Sequence, residues 1–485
     1  MFCQGLSLRY ISAMTVFMLS IAACTHSPPI TTELGKPQRE YTYQAPIRID
    51  DGWQVSSLAG EGVDEEIIND MMEAILAGKY PNTHSVLLVK NGKLILEEYF
   101  NGNKRDDLHY LASVTKSVTS ILIGISLDED LLTDVDQNVS DWFKDYQGTK
   151  WISKKYNINI KHLLSMTAGI EWDENRSASD PKLDYSAMHR DGDWIRYDFN
   201  KDLVSSPGKE FNYNGGLSVL LGEIIKRASG LNAEKFSEKH LFGPLGISHY
   251  RWLKYNDGSI DTGGGLLLRS RDMAKIGQIV LGNGKVEDKQ IVSKQWIIES
   301  TKNHPVEKAH PLGSGYGYQW WIGEILIGSD KVKIVFAQGR GGQCIFVIPK
   351  ANAIVVVTSQ LRDNDGGFFR PQVMMTEFVI PALFHQSPVA KIINVDQSKL
   401  QEYLGDYEHR WFNITASVMI KDNKLIVASP GLERIEFFPT SQTVFRGIIE
   451  NIGAAELSFS KNESGIGDDM TMRIGFTYIL FDKIK

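Results

Sequence analysis

The sequence contains little cysteine and no excess of basic residues. Only three of its 485 residues are cysteine, and Cys3 and Cys24 lie in the N-terminal segment, which leaves Cys344 as the one thiol of the remaining chain. An internal disulfide is therefore excluded, and we expect Cys344 to be buried and unreactive. Lysine and arginine number 52 and aspartate and glutamate 59, a net charge of −7. We predict no nucleic-acid partner, because phosphate binding needs a basic surface.

Metal-binding motifs and membrane-spanning runs are also missing. The sequence has no H-E-x-x-H and no C-x-x-C, and its eleven histidines show no ligand spacing. We predict neither a metal nor another cofactor. The apolar stretch from Ile11 to Ala23 is too short to cross a bilayer.

This short stretch has the pattern of an export signal. Arg9 precedes it, and it ends in the small residues of "SIAAC". The ending resembles the bacterial lipobox, whose cysteine becomes the lipidated first residue, and the alternative is a plain cleaved signal. We expect a signal peptide over residues 1–23, lipid on Cys24 and a flexible tether over residues 24–50. The lipid would anchor the protein to a membrane facing the periplasm of a bacterial cell envelope.

The pattern after residue 50 predicts helices between an early hairpin and late strands. Ile67, Met71 and Ile75 share one helical face, and Asn91-Gly92 joins two strand-like runs as a hairpin turn. Later, "YGYQWWIGEILIG", "KVKIVFAQGRGGQCIFVIP" and "NAIVVVTSQ" are typical of antiparallel strands. This order predicts an α+β domain, an antiparallel sheet flanked by helices, over residues 51–388.

Beyond this domain the chain shows short alternating segments. A polar, proline-containing link lies near residues 387–397, and runs such as "ASVMIKDNKLIVAS" and "TVFRGI" follow it. Turn residues recur between these runs. The pattern predicts a small all-β domain, an antiparallel sheet or barrel, over residues 389–485.

A serine and a lysine three residues apart open the apolar run "YLASVTKSVTSILIGI". Residues at this spacing share a helical face, so we expect Ser113 and Lys116 to lie within reach of each other. A serine hydroxyl needs a base to become a nucleophile, and a buried lysine amine can supply one. The alternative is a helix-capping serine followed by an exposed lysine. The spacing recurs at Ser206 and Lys209, where an intervening Pro-Gly excludes helical geometry.

Five motifs resemble, in order, the serine β-lactamase-like hydrolases of the class C branch. They are "LASVTKS", "IKHLLSMTAGI", "PGKEFNYNGG", "GGGLLLRSRDMAKIGQIVL" and "YGYQWWIG", and the likeness covers about residues 50–385. This branch includes esterases, D-aminopeptidases and amide hydrolases as well as β-lactamases. The resemblance implies a β-lactamase/transpeptidase-like fold, Ser113 as nucleophile, and Lys116 and Tyr213 as the proton-transfer pair. The alternative for Tyr213 is a turn tyrosine packed on the domain.

The family's Lys-Thr-Gly strand is absent as such. The matching segment is "AQGRGGQCIFVIP", which places Arg340, Gly341 and Gly342 at the triplet. The resemblance implies that the backbone amides of Ser113 and Gln343 stabilise the oxyanion and that the two glycines let the substrate approach. Arg340 has the planar fork to bind a substrate carboxylate, and the alternative is a solvated edge arginine.

A second departure from the family lies beside Tyr213. The Tyr-x-Asn motif needs asparagine at position 215, where Gly215 stands. Asn214 lies one position early, and we retain it as a substrate-binding candidate. The missing amide argues against efficient antibiotic hydrolysis.

Together these features predict a serine hydrolase that acts on a small-molecule ester or amide, or on a peptide, through an acyl-enzyme on Ser113. One alternative is a penicillin-binding or peptidoglycan-sensing protein that is acylated without efficient turnover. Another is a catalytically inactive scaffold. The C-terminal domain resembles the small lipocalin-like appendages of such hydrolases, and its sequence shows no catalytic constellation.

Overall fold

The protein is described from a computed structural model. The predicted signal peptide, Cys24 and most of the predicted tether lie outside the described residues. No helix within the described part of the chain is both long and apolar enough to span a bilayer. The described residues are 41–174, 176, 180–255, 258–306, 315–327, 330–361, 367–386, 392–409, 415–429, 434–449, 452–461 and 468–484.

The chain divides into two compact units, each assembled from separate stretches of sequence. The larger unit comprises Ala45–Glu61 and Asn82–Leu361. The smaller unit comprises, among the described residues, those of 41–44, Gly62–Pro81 and 362–485.

Strands of the larger unit form one main sheet and two small ones. They are β1 (Gln54–Val55), β2 (Thr83–Lys90), β3 (Lys93–Tyr99), β4 (His109–Tyr110), β5 (Tyr250–Trp252), β6 (Leu266–Leu268), β7 (Lys285–Val286), β8 (Lys289–Gln290), β9 (Gly315–Tyr316), β10 (Trp321–Ile327), β11 (Asp330–Gly339), β12 (Gln343–Ile348) and β13 (Ala353–Ser359). The main sheet has the order β1-β3-β2-β13-β12-β11-β10-β9, and the small sheets are β4-β6-β5 and β7-β8.

The main sheet is mixed, and the prediction of a purely antiparallel sheet is wrong at one edge. There β1 pairs with β3 in parallel, whereas the other neighbours are antiparallel. No hairpin joins β1 to β3, so their connection does not force an antiparallel arrangement. The predicted hairpin between β2 and β3 is confirmed, with φ of +52° at Asn91 and +76° at Gly92 as a two-residue primed turn requires.

Helices occur in both units, and one that packs on the main sheet of the larger unit is buried on all sides. They are α1 (Glu65–Leu76), α2 (Val114–Asp128), α3 (Lys150–Ser153), α4 (Ile160–Leu164), α5 (Asp184–Asp191), α6 (Trp194–Phe199), α7 (Gly215–Ser229), α8 (Ala233–Ser237), α9 (Ser270–Leu281), α10 (Lys294–Ser300), α11 (Arg370–Met374), α12 (Ile380–Phe384) and α13 (Gln397–Glu402). Within the larger unit α2 is buried from Val114 to Ser126, between β11 and β12 on one side and α7 on the other. Apolar and small residues all round α2 permit this position.

The smaller unit contains α1, α11, α12, α13 and a closed eight-stranded barrel. Its strands pair in sequential order and the last closes on the first. The aromatic rings of Tyr403, Tyr407, Phe445 and Phe459 pack together within this unit. The barrel strands are β14 (Gly405–His409), β15 (Thr415–Lys421), β16 (Lys424–Ala428), β17 (Ile435–Pro439), β18 (Val444–Ile449), β19 (Gly453–Lys461), β20 (Asp468–Ile474) and β21 (Thr477–Lys483).

The division into units differs from the predicted boundary at residues 388/389. The helices α1, α11 and α12 belong with the barrel because they contact one another and the barrel strands. Asp64, the N-cap of α1, donates its N–H to Ala382 O at 3.1 Å. Gln372 Oε1 accepts the N–H of Phe476 at 3.0 Å and the hydroxyl of Thr477 at 3.2 Å.

The last residues of the predicted tether belong to the larger unit. Arg271 is almost completely buried and donates to Ile47 O at 2.9 Å and to Asp51 Oδ2 at 2.8 Å. Its guanidinium also binds Glu97 Oε2 at 2.6 Å. Residues 45–50 are therefore held against the folded larger unit. The flexible tether, predicted over residues 24–50, does not extend through them.

Candidate active site

Ser113 lies at the junction of β4 and α2, with a side chain that the helix does not use. It is the N-terminal cap residue of α2, but its hydroxyl makes no capping hydrogen bond. Ala112, immediately before it, has φ of +47°, a left-handed conformation that is strained for an L-residue. The Ser113 hydroxyl is therefore available for another partner. As a helix-capping group, the alternative role, it would be bound to a backbone N–H of α2.

That partner is Lys116, one helical turn along α2. Lys116 is only 2% exposed, so the alternative of an exposed lysine is wrong. Its Nζ donates to Ser113 Oγ at 3.1 Å and to Gly263 O at 2.8 Å. Among the described residues, no carboxylate lies within ion-pair distance of this amine. The structure thus brings serine and lysine together at the predicted spacing.

Tyr213 reaches the same place from the segment that precedes α7. Its ring centre lies 5.1 Å from Lys116 Nζ, and the ring stacks on that of Trp321 at 5.8 Å. Burial raises the pKa of the Tyr213 hydroxyl, while the charge of Lys116 and hydrogen bonding with Ser113 and Lys116 oppose that rise. Three groups from two distant segments therefore form one cluster.

The turn between β11 and β12 lies beside Ser113. A Cβ on Gly339, the last residue of β11, would lie 2.2 Å from Leu111 O and 3.2 Å from Ser113 N, so only glycine fits this close approach. Gln343 opens β12 and is paired directly with Gly339. Both segments whose amides were predicted to bind the oxyanion are thus present at the same end of β11.

Gly341 and Gly342 form this turn, and hydrogen bonds hold it in place. Their φ angles are +94° and +91°, which glycine adopts without strain. Ser359 Oγ donates to Gly341 O at 2.8 Å and to Gly342 O at 3.0 Å. Arg340 is exposed, and its Nη2 donates to Arg176 O at 2.8 Å. Part of the guanidinium that was predicted to bind a substrate carboxylate is therefore engaged within the protein.

Asn214, directly after Tyr213, caps a helix through its Oδ1, while its buried Nδ2 has no hydrogen-bond partner among the described residues, so its substrate-binding role stays a prediction. Its side chain is 1% exposed, and its Oδ1 accepts the N–H of Leu217 at 3.2 Å as the N-cap of α7. Asparagine directly before an apolar helix is a strong capping signal, and here the side-chain oxygen takes that role.

The absence of a side chain at Gly215 has a steric cause. A Cβ at this position would lie 2.4 Å from Tyr185 Cδ2 and 3.2 Å from Glu174 Oε2. Glu174 Oε2 also accepts the N–H of Gly215 at 2.6 Å and that of Trp172 Nε1 at 2.8 Å. A tyrosine ring and a carboxylate therefore fill the space beside residue 215, where the family pattern requires an asparagine.

Sequence reasoning missed Tyr185, Glu174 and Asp261. Asp261 is 2% exposed, and its Oδ1 accepts from Tyr185 Oη at 2.6 Å and from the N–H groups of Gly263 and Gly264 at 3.0 and 2.9 Å. The run "DTGGG" was noted only as part of a family motif. An aspartate before three glycines is a signal for a carboxylate that accepts several backbone amides, and it was available.

Comparison with known proteins agrees with this geometry. The profile of the family described as Beta-lactamase matches residues 69–373. The 6-aminohexanoate-dimer hydrolase of Paenarthrobacter ureafaciens is 24% identical over 302 residues, which cover 58% of this chain and 74% of that protein. Monacolin J acid methylbutanoyltransferase of Aspergillus terreus is 26% identical over 155 residues, 28% of this chain and 36% of that protein.

Solved structures show the same fold at low sequence identity. The octameric penicillin-binding protein homologue from Pyrococcus abyssi has a TM-score of 0.53 at 19% identity and covers 86% of this chain and 100% of that one. EstCE1, a hydrolase with promiscuous acyltransferase activity, has a TM-score of 0.52 at 17% identity, with 68% and 100% covered. The chain belongs to the Beta-lactamase family and is a serine hydrolase.

Proposed function

We propose that this chain hydrolyses carboxylic esters and amides through an acyl-enzyme formed on Ser113. The hydrogen bond from Lys116 Nζ to Ser113 Oγ, with Tyr213 beside both residues, carries the proposal. Lys116 donates to one lone pair of the serine hydroxyl, and the hydroxyl proton is then directed to the oxygen of Tyr213, whose deprotonated form is the base. Lys116 and Tyr213 act as the proton-transfer pair.

The reaction balances in two half-reactions. Ser113 Oγ bonds to the carbonyl carbon as its proton passes to the phenolate oxygen of deprotonated Tyr213, and the carbonyl oxygen takes the electron pair as an oxyanion held by the amides of Ser113 and Gln343. The C–O or C–N bond then breaks, and the leaving group takes the proton from Tyr213. Water, deprotonated by the same pair, attacks the acyl ester, releases the carboxylic acid and restores Ser113.

The surroundings of Gly215 favour esters and simple amides over penicillins. An asparagine amide donates hydrogen bonds, whereas an ionised carboxylate only accepts them. Glu174 lies beside Gly215, and no cation pairs with it among the described residues. A substrate carbonyl or carboxylate is disfavoured next to Glu174, and a substrate N–H group is favoured. The Paenarthrobacter relative, named for a dimer of an amino acid, supports the amide class.

Covalent labelling tests the proposal. The protein is treated with a fluorophosphonate, digested, and the modified peptide is identified by mass spectrometry. We expect modification of Ser113 and none in Ser113→Ala. Ser206→Ala is the matched control, since Ser206 has the same spacing to Lys209 but is exposed in a loop, and it should label normally. Labelling of the Ser113→Ala variant at another site would overturn the assignment.

Turnover separates the hydrolase from the acylated sensor. Hydrolysis of p-nitrophenyl esters, anilides and a chromogenic cephalosporin is followed from the first second. Multiple turnovers on an ester or anilide support the proposed function. A single burst equal to the enzyme concentration, followed by no further product, would instead identify a protein that is acylated without turnover.

We also propose that the chain is exported and lipid-anchored through Cys24, and that the barrel is a lipocalin-like appendage. The lipobox-like "SIAAC" supports the anchor, and the sequential, closed order of eight strands supports the barrel assignment. Cys24→Ala should release the protein from membranes in a bacterial expression host. Retention of this variant with the membranes would argue against the anchor.

A further inference from the structure

Lys116 carries a buried ammonium that is connected to the Asp261 carboxylate through a backbone turn. The turn comprises Asp261, Thr262, Gly263 and Gly264, and we call it the Asp261 turn. Gly263 O accepts Lys116 Nζ at 2.8 Å, while the N–H groups of Gly263 and Gly264 both donate to Asp261 Oδ1. One carboxylate therefore fixes the backbone that binds the catalytic-site amine.

Three neighbouring helices hold the Asp261 turn in place. Thr262 Oγ1 donates to Ser218 O of α7 at 2.8 Å, and Thr119 Oγ1 of α2 donates to Thr262 O at 2.8 Å. Tyr185 Oη of α5 donates to Asp261 Oδ1. A Cβ on Gly263 or Gly264 would lie 2.7 or 2.9 Å from that tyrosine oxygen, so both glycines are needed for its approach. The turn is thus a connected network rather than a loop end.

The charge of Asp261 is retained despite its burial. Burial alone would raise the pKa of Asp261, but the contacts with His189 and Tyr185 and the charge of Lys116 hold it below its ordinary value. Titratable groups that face Asp261 come from four segments. They are Lys116 on α2, Tyr185 and His189 on α5, Tyr110 on β4, and Tyr255 after β5.

We propose that Asp261 is a positioning residue that orients the Gly263 carbonyl toward Lys116 and supplies the counter-charge of the Ser113–Lys116–Tyr213 cluster. This inference rests on the proposed function of that cluster. A negative charge beside a proton-transfer site contributes to the pH range in which that site is reactive.

Asp261→Asn separates charge from geometry. Asparagine Oδ1 still accepts the same N–H and O–H donors, while the negative charge is lost. Loss of an anion makes proton loss easier in its surroundings, so the pH profile of Ser113 labelling by a fluorophosphonate should move to lower pH by about 1 unit. Asp261→Ala removes both charge and acceptor, and we expect labelling to slow by about 10- to 100-fold, as for other residues that orient catalytic groups.

Two controls separate this effect from packing. Tyr185→Phe removes one hydrogen bond but keeps the ring and the charge of Asp261, so its profile should stay much closer to that of the wild type than the profile of Asp261→Asn does. Asp272→Asn removes a buried carboxylate on α9 that pairs with Arg269 and Lys275 rather than facing Lys116, and its profile should also stay in place. Melting temperatures confirm that each variant is folded.

The experiment distinguishes failure of the Asp261 inference from failure of the proposed hydrolase function. If wild-type protein labels at Ser113 but Asp261→Asn keeps the wild-type profile, the inference is overturned while the hydrolase assignment stands. An equal shift in Tyr185→Phe or Asp272→Asn would also overturn it, because charge at position 261 would not be the cause. Absence of Ser113 labelling in the wild type would refute the proposed function first.

Discussion

Tyr185 occupies the space that a side chain at position 215 would need. The ring edge lies 2.4 Å from the place of a Cβ on Gly215. Its hydroxyl is anchored on Asp261, so the ring cannot swing aside without loss of a 2.6 Å hydrogen bond. Glycine, in place of the asparagine of the family pattern, is therefore required at position 215 by the packing of Tyr185.

Restoring a side chain at this position should destabilise the protein. Gly215→Asn is expected to lower the free energy of unfolding by about 1–3 kcal/mol through overpacking, without a gain of cephalosporin hydrolysis. Chemical denaturation measures the loss. The double variant Gly215→Ala/Tyr185→Ala should be more stable than the sum of the single changes predicts, because the clash is removed. Additive effects would show that the two residues do not share this space.

Loss of the lysine should separate activity from stability. Lys116→Met replaces a buried ammonium with an unbranched apolar chain, and labelling of Ser113 should slow by about 100-fold or more. The free energy of unfolding should stay equal or rise, because a buried charge without an adjacent carboxylate is removed. Lys209→Met, in the exposed segment with the same spacing, is the control and should change neither quantity.

Removal of the phenol hydroxyl should reduce turnover with little effect on binding. Tyr213→Phe keeps the ring stacked on Trp321, and kcat is expected to fall by about 10²- to 10⁴-fold at similar KM. Tyr250→Phe, on β5, should retain wild-type values. A fall of similar size in both variants would argue against a proton-transfer role for Tyr213.

The pH dependence of labelling follows from the same hydroxyl. Burial raises the pKa of Tyr213, so the phenol is mostly protonated at neutral pH and its basic form grows as the pH rises. The labelling rate of the wild type should therefore rise from neutral to alkaline pH. Tyr213→Phe should lose this rise, and a rate that falls with pH in the wild type would contradict the assignment.

An acidic network in the larger unit should set its stability at low pH. Burial would raise the pKa of Glu97, but hydrogen bonds from Arg271 and Arg105 lower it from 4.5 to about 2. Since the folded-state pKa is the lower one, the stabilisation is complete above 4.5 and is lost as the pH falls toward 2. Thermal unfolding between these limits should show a falling midpoint.

Breaking this network at neutral pH gives a second measurement. Glu97→Gln leaves buried Arg271 with one carboxylate partner instead of two, and should lower the free energy of unfolding by about 3–5 kcal/mol. Glu238→Gln breaks an exposed ion pair with Lys235 and should change the free energy of unfolding by less than about 1 kcal/mol. Equal losses in the two variants would show that burial of the pair is not the cause.

Local patterns predicted the elements that carry the site. The spacing of Ser113 and Lys116 on an apolar helix fixed their proximity, and Asn91-Gly92 fixed the first hairpin. The capping role of Asn214 was not predicted, because a capping signal and a motif position coincide there. The hydrogen bond between Tyr185 and Asp261 joins residues that are 76 positions apart in the sequence. A local hydrophobic pattern cannot predict such a contact.

The division of the chain into two units could not be predicted from local sequence patterns either. The polar link near residues 387–397 is a real break in hydrophobic periodicity, but α1 joins the barrel's unit from a position more than 300 residues earlier in the sequence. Its apolar face predicted burial without specifying the partner. Only tertiary contacts decide which unit a helix joins.

The backbone of Ala112 links reactivity to the conformational stability of the whole larger unit. If the chain relaxed there to an ordinary right-handed conformation, Ser113 could close on the first amides of α2 as an ordinary cap, and its hydroxyl would be lost to chemistry. The surrounding fold must therefore be rigid enough to oppose this relaxation. Substitutions that loosen the packing of α2 are expected to inactivate the protein at temperatures well below those that unfold it.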